Sequence, residues 1–234
     1  MTPSAQPKIL LEIAVASLER AITAERAGAH RLELCDRLDL GGITPSLDLV
    51  RQVRSALRIP IHVMIRPRPG NFVYDADEFS QMKKDIAALR NENLQGIVTG
   101  VLLPDHSVDV SRTRELVALA SPLEVTFHRA FDETSSLAIA LEDVILTGAR
   151  RILTAGGAFS APEGSATLCK LVQKARGRIT ILPGGGLHPG NIAELVRAIG
   201  VREIHTGLGT VLPYNSADNI FESAIRDCLA NFTR

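Results

Sequence analysis

Eight times along this chain a short run of β-branched and aliphatic residues gives way to a longer segment whose apolar residues recur at i, i+3, i+4 and i+7. Strands are expected near 8–13, 30–35, 61–66, 96–102, 123–128, 150–154, 179–183 and 203–206. Helices are expected near 17–27, 46–57, 76–91, 110–120, 135–147, 164–176, 189–199 and 217–231. Strict βα alternation requires a parallel sheet covered by its own crossover helices. Eight such units predict a single-domain (β/α)8 barrel of the TIM type, and 234 residues fit one barrel of about 250. The alternative, an open doubly wound sheet, advertises GxGxxG after its first strand, whereas Ala14-Val15-Ala16-Ser17 follows here. The barrel domain is assigned to 8–234, behind a short flexible polar lead at 1–7.

Helix punctuation agrees with this reading. Ser17 precedes a helix closed by Gly28, Ser46 follows Pro45, and Ser135 precedes a helix closed by Gly148. The joints from helix to strand are short, while the loops after strands, at 39–45, 67–74 and 155–159, are longer and richer in Gly, Pro, Arg and Asn. One face should therefore carry the chemistry, the face at the strand C-termini.

Charge excludes some functions. Basic and acidic residues number 26 each, so no long-range field gathers nucleic acid or an anionic membrane. The three cysteines, Cys35, Cys169 and Cys228, lack CxxC spacing, which argues against a disulfide framework and a closed zinc site. No apolar run reaches the roughly 18 residues of a membrane span, and the N-terminal lead has no secretory pattern. A soluble cytoplasmic protein is expected, and uncovered apolar helix faces would favour a homo-oligomer.

Side chains alternate along a strand, so one inward residue fixes its neighbours. Glu12 is expected inside, flanked by outward Leu11 and Ile13. Parity then places Arg31, Glu33 and Cys35, then His62, Met64 and Arg66, then Glu124, Thr126 and His128, and finally Glu203 and His205 on the inner face. Buried charges need partners. Arg31, Glu124 and Glu203 are expected to pair with one another low in the barrel. Glu12, Glu33, Arg66, His128 and His205 are expected at strand C-termini, where barrel enzymes keep their sites.

His128 is a candidate acid or base near neutrality, with Glu12 or Glu33 as carboxylate partner and His205 beside them. Arg66, Arg68 and Arg129 offer planar forks for a carboxylate or phosphate. Gly184, Gly185 and Gly186 after strand seven and Thr206-Gly207 after strand eight occupy positions where barrels bind anions through backbone N–H groups, although tight turns alone would also use these residues. The lysines fall on helices or at a strand start, which removes Schiff-base chemistry. Cys35, His128 and His205 carry donors suited to copper or zinc, but no local spacing ties them together and a lone cysteine also serves as a small core residue. Glu12 and Glu33 would instead suit a hard cation.

Leu11-Glu12-Ile13, Arg31-Leu32-Glu33-Leu34-Cys35, Gly41-Gly42-Ile43-Thr44-Pro45-Ser46, Met64-Ile65-Arg66-Pro67-Arg68, Val125-Thr126-Phe127-His128-Arg129-Ala130-Phe131-Asp132 and Arg151-Ile152-Leu153-Thr154 occur in an order that resembles the CutC family, known as copper homeostasis proteins. The resemblance covers about residues 8–231 and implies a TIM-like barrel, a cytoplasmic location and copper binding or handling, without a settled reaction. Cys35 would be the thiol ligand, with His128 or His205 nearby. Ala14 stands where some members carry cysteine, Asn71 where aspartate is frequent, and Thr206-Gly207 in place of a serine pair. The alternative carried by the residues themselves is a proton-transfer enzyme, an isomerase or lyase, acting on a small phosphorylated or carboxylated molecule.

Overall fold

The computed structural model describes residues 9–209, 211–213 and 216–232; the expected lead at 1–7 lies outside them. Eight parallel strands form one sheet: β1 Leu10–Val15, β2 Arg31–Leu34, β3 Ile61–Met64, β4 Gly96–Thr99, β5 Glu124–Phe127, β6 Arg151–Thr154, β7 Thr180–Pro183 and β8 Glu203–Thr206. Their order, β7-β6-β5-β4-β3-β2-β1-β8, brings β7 and β8 side by side at the remaining seam, where no ladder joins them. The result is a nearly closed (β/α)8 barrel. Around it run α1 Leu18–Ala27, α2 Leu47–Ala56, α3 Ala76–Leu89, α4 Val110–Ala120, α5 Leu137–Thr147, α6 Ser165–Ala175, α7 Ile192–Ile199 and α8 Asp218–Ala230. None of the described helices is long and apolar enough to cross a membrane.

The apolar core is the shell between strands and helices. Leu11, Ile13, Leu32, Leu34, Val63, Ile97, Phe127 and Ile204 point outward from the sheet and meet Val50, Val53, Ile86, Leu116, Leu141 and Ile225. Each such buried side chain contributes roughly 1.5–3 kcal/mol. Ser17 caps α1 by accepting from the Arg20 N–H at 3.2 Å, and Ser46 caps α2 by accepting from Leu49 at 3.2 Å. At α5 the N-cap is Ser136 rather than Ser135, whose hydroxyl instead donates to the Asp105 carbonyl at 3.0 Å.

Inside the barrel the side chains are polar, as alternation requires. Glu12 sits opposite Arg31 on β2 and His205 on β8, so the three share one level. Because β1 continues to Val15, Glu12 lies mid-strand and not at the strand end expected for it. Arg31 is bonded to Glu12 through Nε and to Glu203 through Nη2 at 2.8 Å. Glu124 does not pair with Arg31, as parity alone had suggested; Arg151 reaches it at 2.5 Å and Glu203 at 2.7 Å. A column Glu124–Arg151–Glu203–Arg31–Glu12 therefore climbs the interior with alternating sign. Two glycines of β4 and its exit make room for imidazoles: a Cβ on Gly96 would stand 2.8 Å from the His62 ring, and one on Gly100 2.8 Å from the His128 ring.

Candidate active site at the barrel mouth

Above this column opens a cavity of about 320 Å3 whose wall includes Glu33, Arg66, His128, Arg129, Gly185 and His205. A neighbouring cavity of about 380 Å3, beside Arg20 and Asp39, shares Ala14 and Gly207 with it. The polar groups of that neighbour are engaged with each other: Arg20 with the Ser216 carbonyl, and Asp39 with Arg37 at 2.9 Å. The smaller cavity is the one that gathers unengaged chemistry.

Its floor is an imidazole between two carboxylates. Glu12 Oε1 lies 2.7 Å from His205 Nδ1, and Glu33 Oε2 lies 3.8 Å from His205 Nε2. The two acids behave oppositely. Burial would raise Glu12, but Arg31 and His205 outweigh it and hold its carboxyl well below the usual range. Burial also raises Glu33, which has no guanidinium bonded to it and stands near the Glu12 charge, so it is pushed up to about 7 despite His205. His205 is lowered by burial but raised on balance by Glu33 and by the hydrogen bond and charge of Glu12. Glu33 thus keeps its proton into the neutral range and His205 is shifted the same way, while Glu12 and Arg31 form a fixed ion pair beneath them. Glu33 Oε1 is buried and, among the described residues, has no hydrogen-bond partner.

His128 differs from its expected role. Burial first, and then the nearby Arg66 charge, push its imidazole down to about 3, so it is neutral at physiological pH and does not titrate near it. Its Nδ1 accepts from the Ala130 N–H at 3.2 Å, which places the proton on Nε2. That Nε2 is buried without a partner among the described residues, and the ring packs at 4.7 Å from the Phe72 ring. A neutral imidazole N–H of this kind is a hydrogen-bond donor and not a proton reservoir.

Arg66 is less free than a fork for substrate would be. Its Nη1 donates to Leu40 O at 3.2 Å and Gly42 O at 2.9 Å, and its Nη2 donates to Gly70 O at 2.8 Å. The guanidinium fastens two loops of the mouth and covers Phe72 at 4.8 Å. Among the described residues no carboxylate pairs with it, and its buried Nε is unpartnered, so its positive charge reaches the cavity uncompensated. Arg68 is turned away and paired with Glu78.

Arg129 opens a 3-10 turn, Arg129–Glu133, and its Nε pairs with Asp132 Oδ2 at 2.8 Å. Asp132 is itself gripped by the Thr154 hydroxyl and by the N–H groups of Ala155 at 2.9 Å and Gly157 at 3.0 Å. The outer end of the guanidinium lies over the turn after β7, 3.1 Å from where a Cβ on Gly185 would be. Gly185 and Gly186 have φ of +100° and +70°, the left-handed region where glycine is favoured. Gly184 N–H closes the sheet by donating to Thr154 O at 3.0 Å. The Thr206 hydroxyl donates to Leu187 O at 2.5 Å and accepts from Leu208 N–H at 3.0 Å, so it shapes the turn. No described residue accepts from the N–H groups of Gly185, Gly186 or Gly207.

The expected soft-metal grouping does not assemble. Cys35 is fully buried against Gly42 and Met64, its Sγ directed at Val15 O at 3.7 Å, and burial, with Glu33 and Asp36, raises its thiol well above the ordinary value. Among the described residues, the donors within 4.8 Å of one another are those of Glu12, Glu33 and His205. Two carboxylates and an imidazole suit a harder ion than Cu(I), and Arg31 already neutralises Glu12. Cys35, His128 and His205 therefore do not fit copper as a three-ligand site.

Sequence reasoning left out Arg151, Asp132 as an anchor, and Phe72. Arg151 was within reach of the alternation rule, since it is in phase with Leu153 and Ala155 on β6. Phe72 comes from a long loop, and no spacing signals its stacking on His128.

The sequence profile of the CutC family matches residues 9–210. A CutC family protein of Chromobacterium violaceum is 50% identical over 196 residues, covering 84% of this chain and 79% of that protein. One from Vibrio vulnificus is 44% identical over 197 residues, covering 83% and 79%. Among solved structures, a CutC of Streptococcus agalactiae, provisionally assigned to copper homeostasis, aligns with a TM-score of 0.81 at 31% identity, covering 85% of this chain and 98% of that one.

Proposed function

This chain belongs to the CutC family, and from that premise we propose that its barrel mouth is the active site of a proton-transfer enzyme, an isomerase or lyase for a small anionic carbonyl compound. The observation that carries the reading is the Glu33–His205 pair: two buried groups 3.8 Å apart on the floor of a cavity, with the Glu33 carboxyl pushed up to about 7 and the His205 imidazole raised by the two carboxylates. A catalytic base works best when its pKa lies near the operating pH.

The steps follow from the groups present. Glu33, as carboxylate, takes a proton from carbon next to the substrate carbonyl. The C–H electron pair becomes a C=C bond and the carbonyl pair moves onto oxygen. That oxygen accepts from the neutral His128 Nε2–H, and the uncompensated Arg66 charge stabilises it from close by. Glu33 or His205 then returns a proton to the former carbonyl carbon while the proton of the adjacent hydroxyl passes to the former carbonyl oxygen, so the carbonyl reappears one carbon along and no other reactant is consumed. Glu12, fixed by Arg31, orients His205 and favours its protonated form.

The test is incubation of the protein in D2O with two- to six-carbon α-hydroxy aldehydes and ketones carrying a phosphate or carboxylate, followed by proton NMR. Deuterium should enter next to the carbonyl of at least one compound and should fail to enter with Glu33→Gln. Absence of exchange across the panel refutes the reading.

One observation supports copper as cargo in a second reading. Cys35 packs against Met64, placing a thiol and a thioether together beside the cavity, and both are soft donors. Reduced protein should then withdraw Cu(I) from a competing chelator in a ratio that Cys35→Ser abolishes. Equal uptake by the variant removes this site from copper handling.

A further inference from the structure

Beside the acid–base pair, the exits of β7 and β8 carry a second set of groups with no role in proton transfer. Gly185 and Gly186 after β7 and Gly207 after β8 all border the cavity. Their N–H groups donate to no described residue. Gly185 and Gly186 are held in left-handed conformations, so the turn they make after β7 needs glycine and leaves its amides without a partner in the described protein. Arg129 lies across Gly185 with its Nε tied to Asp132 and its Nη2 donating to Ala158 O at 3.4 Å, so Nη1, over Gly185, has its direction already set. Asp132 accepts from Ala155 and Gly157 N–H groups and from Thr154, a fixed mount for the arginine. His128, 97% buried in side-chain surroundings that leave its Nε2 unpartnered, lines the same cavity and shows that its interior is shaped for a polar guest.

We infer that the Gly185-Gly186 turn, Gly207 and Arg129 form a phosphate subsite, and that the molecule bound at the mouth is a phosphomonoester with a short carbon chain. The inference rests on the proton-transfer reading for what happens at the other end of the chain. Several amides converging with one guanidinium suit the three terminal oxygens of a phosphomonoester, whereas a carboxylate has only two in one plane. A cavity of about 320 Å3 lies at the small end of ligand pockets. It suits a phosphate carrying a few carbons.

Binding of inorganic phosphate to the full chain, followed by phosphorus NMR line broadening and by calorimetry at constant ionic strength, tests this directly. Wild type should bind phosphate at millimolar concentration or tighter, and chloride should not compete. Arg129→Gln, at a half-exposed position, should weaken phosphate at least tenfold; Arg178→Gln on the far end of the barrel should leave it unchanged. Absence of phosphate binding in wild type, or full binding by Arg129→Gln, overturns the subsite. Loss of binding in Glu33→Gln with retention in Arg129→Gln also overturns it, because the anion would then sit on the acid–base pair. Deuterium exchange into carboxylated compounds with no phosphate binding would sink this inference alone and leave the proton-transfer reading standing.

Discussion

Replacing Arg31 with methionine removes the cation on which the interior column turns. Arg31 bridges Glu12 and Glu203 with its side chain 3% exposed, and Glu203 keeps a second partner in Arg151 whereas Glu12 keeps only His205. Removing one member of a buried pair leaves an unpaired charge and costs about 3–5 kcal/mol. For a chain of this size that corresponds to a fall in Tm of roughly 6–20 °C. The loss must depend on pH. In wild type the folded pKa of Glu12 is depressed, so its contribution is present above the unfolded value of about 4.5 and is lost as pH falls. Without Arg31 burial dominates, the folded pKa rises above the unfolded one, and Glu12 costs stability that grows as pH rises. Urea unfolding followed by circular dichroism at pH 5, 6, 7 and 8 should therefore show a penalty already present at pH 5, where the wild-type ion pair is intact, that grows further toward pH 7–8. Adding Glu12→Gln to the variant should recover most of it. A penalty below about 1 kcal/mol at pH 7, or one that is flat with pH, would refute the reasoning.

Three further outcomes follow from the same geometry. Gly100→Ala places a Cβ 2.8 Å from the His128 ring, so it should cost about 1–3 kcal/mol of stability and shift the His128 resonances; a silent substitution would show that the ring has slack. Glu33→Gln should gain stability relative to wild type as pH rises from 5 to 8, by up to about 3 kcal/mol, because between the unfolded value of about 4.5 and the folded value of about 7 the wild-type carboxyl must stay protonated in the fold while it ionises freely when unfolded. Nitrogen NMR should find His128 neutral with its proton on Nε2 down to about pH 4, and Arg66→Met should raise its pKa; protonation near pH 6.5 in wild type would contradict the burial and charge argument.

Alternation along strands made the inner residues legible: Glu12, Arg31, Glu33, His62, His128 and His205 are all buried inside the barrel. Period two is a local property, and barrel closure turns it into a three-dimensional list. What each inner group touches is not local. Arg66 is capped by carbonyls from residues 40, 42 and 70, and those loops approach it only after folding. His128 has its expected place but the opposite titration, because its neighbours are Phe72 and a cation where a carboxylate was anticipated. Cys35 is inward by parity, yet Gly42 and Met64 seal it from the histidines expected as co-ligands. Arg129 continues from β5 in sequence but leaves the strand in a 3-10 turn, which carries it across to the β7 exit.

The account turns on a proton held at the floor of the mouth. Carboxyl carbon-13 NMR of glutamate-labelled protein, with Glu33→Gln to assign the resonance, measures it most directly. Glu33 should titrate near pH 7, and the His205 ring should hold its proton to higher pH than an ordinary imidazole. A Glu33 that is ionised by pH 5, with His205 titrating as an ordinary imidazole, would contradict the raised carboxyl and the catalytic reading built on it.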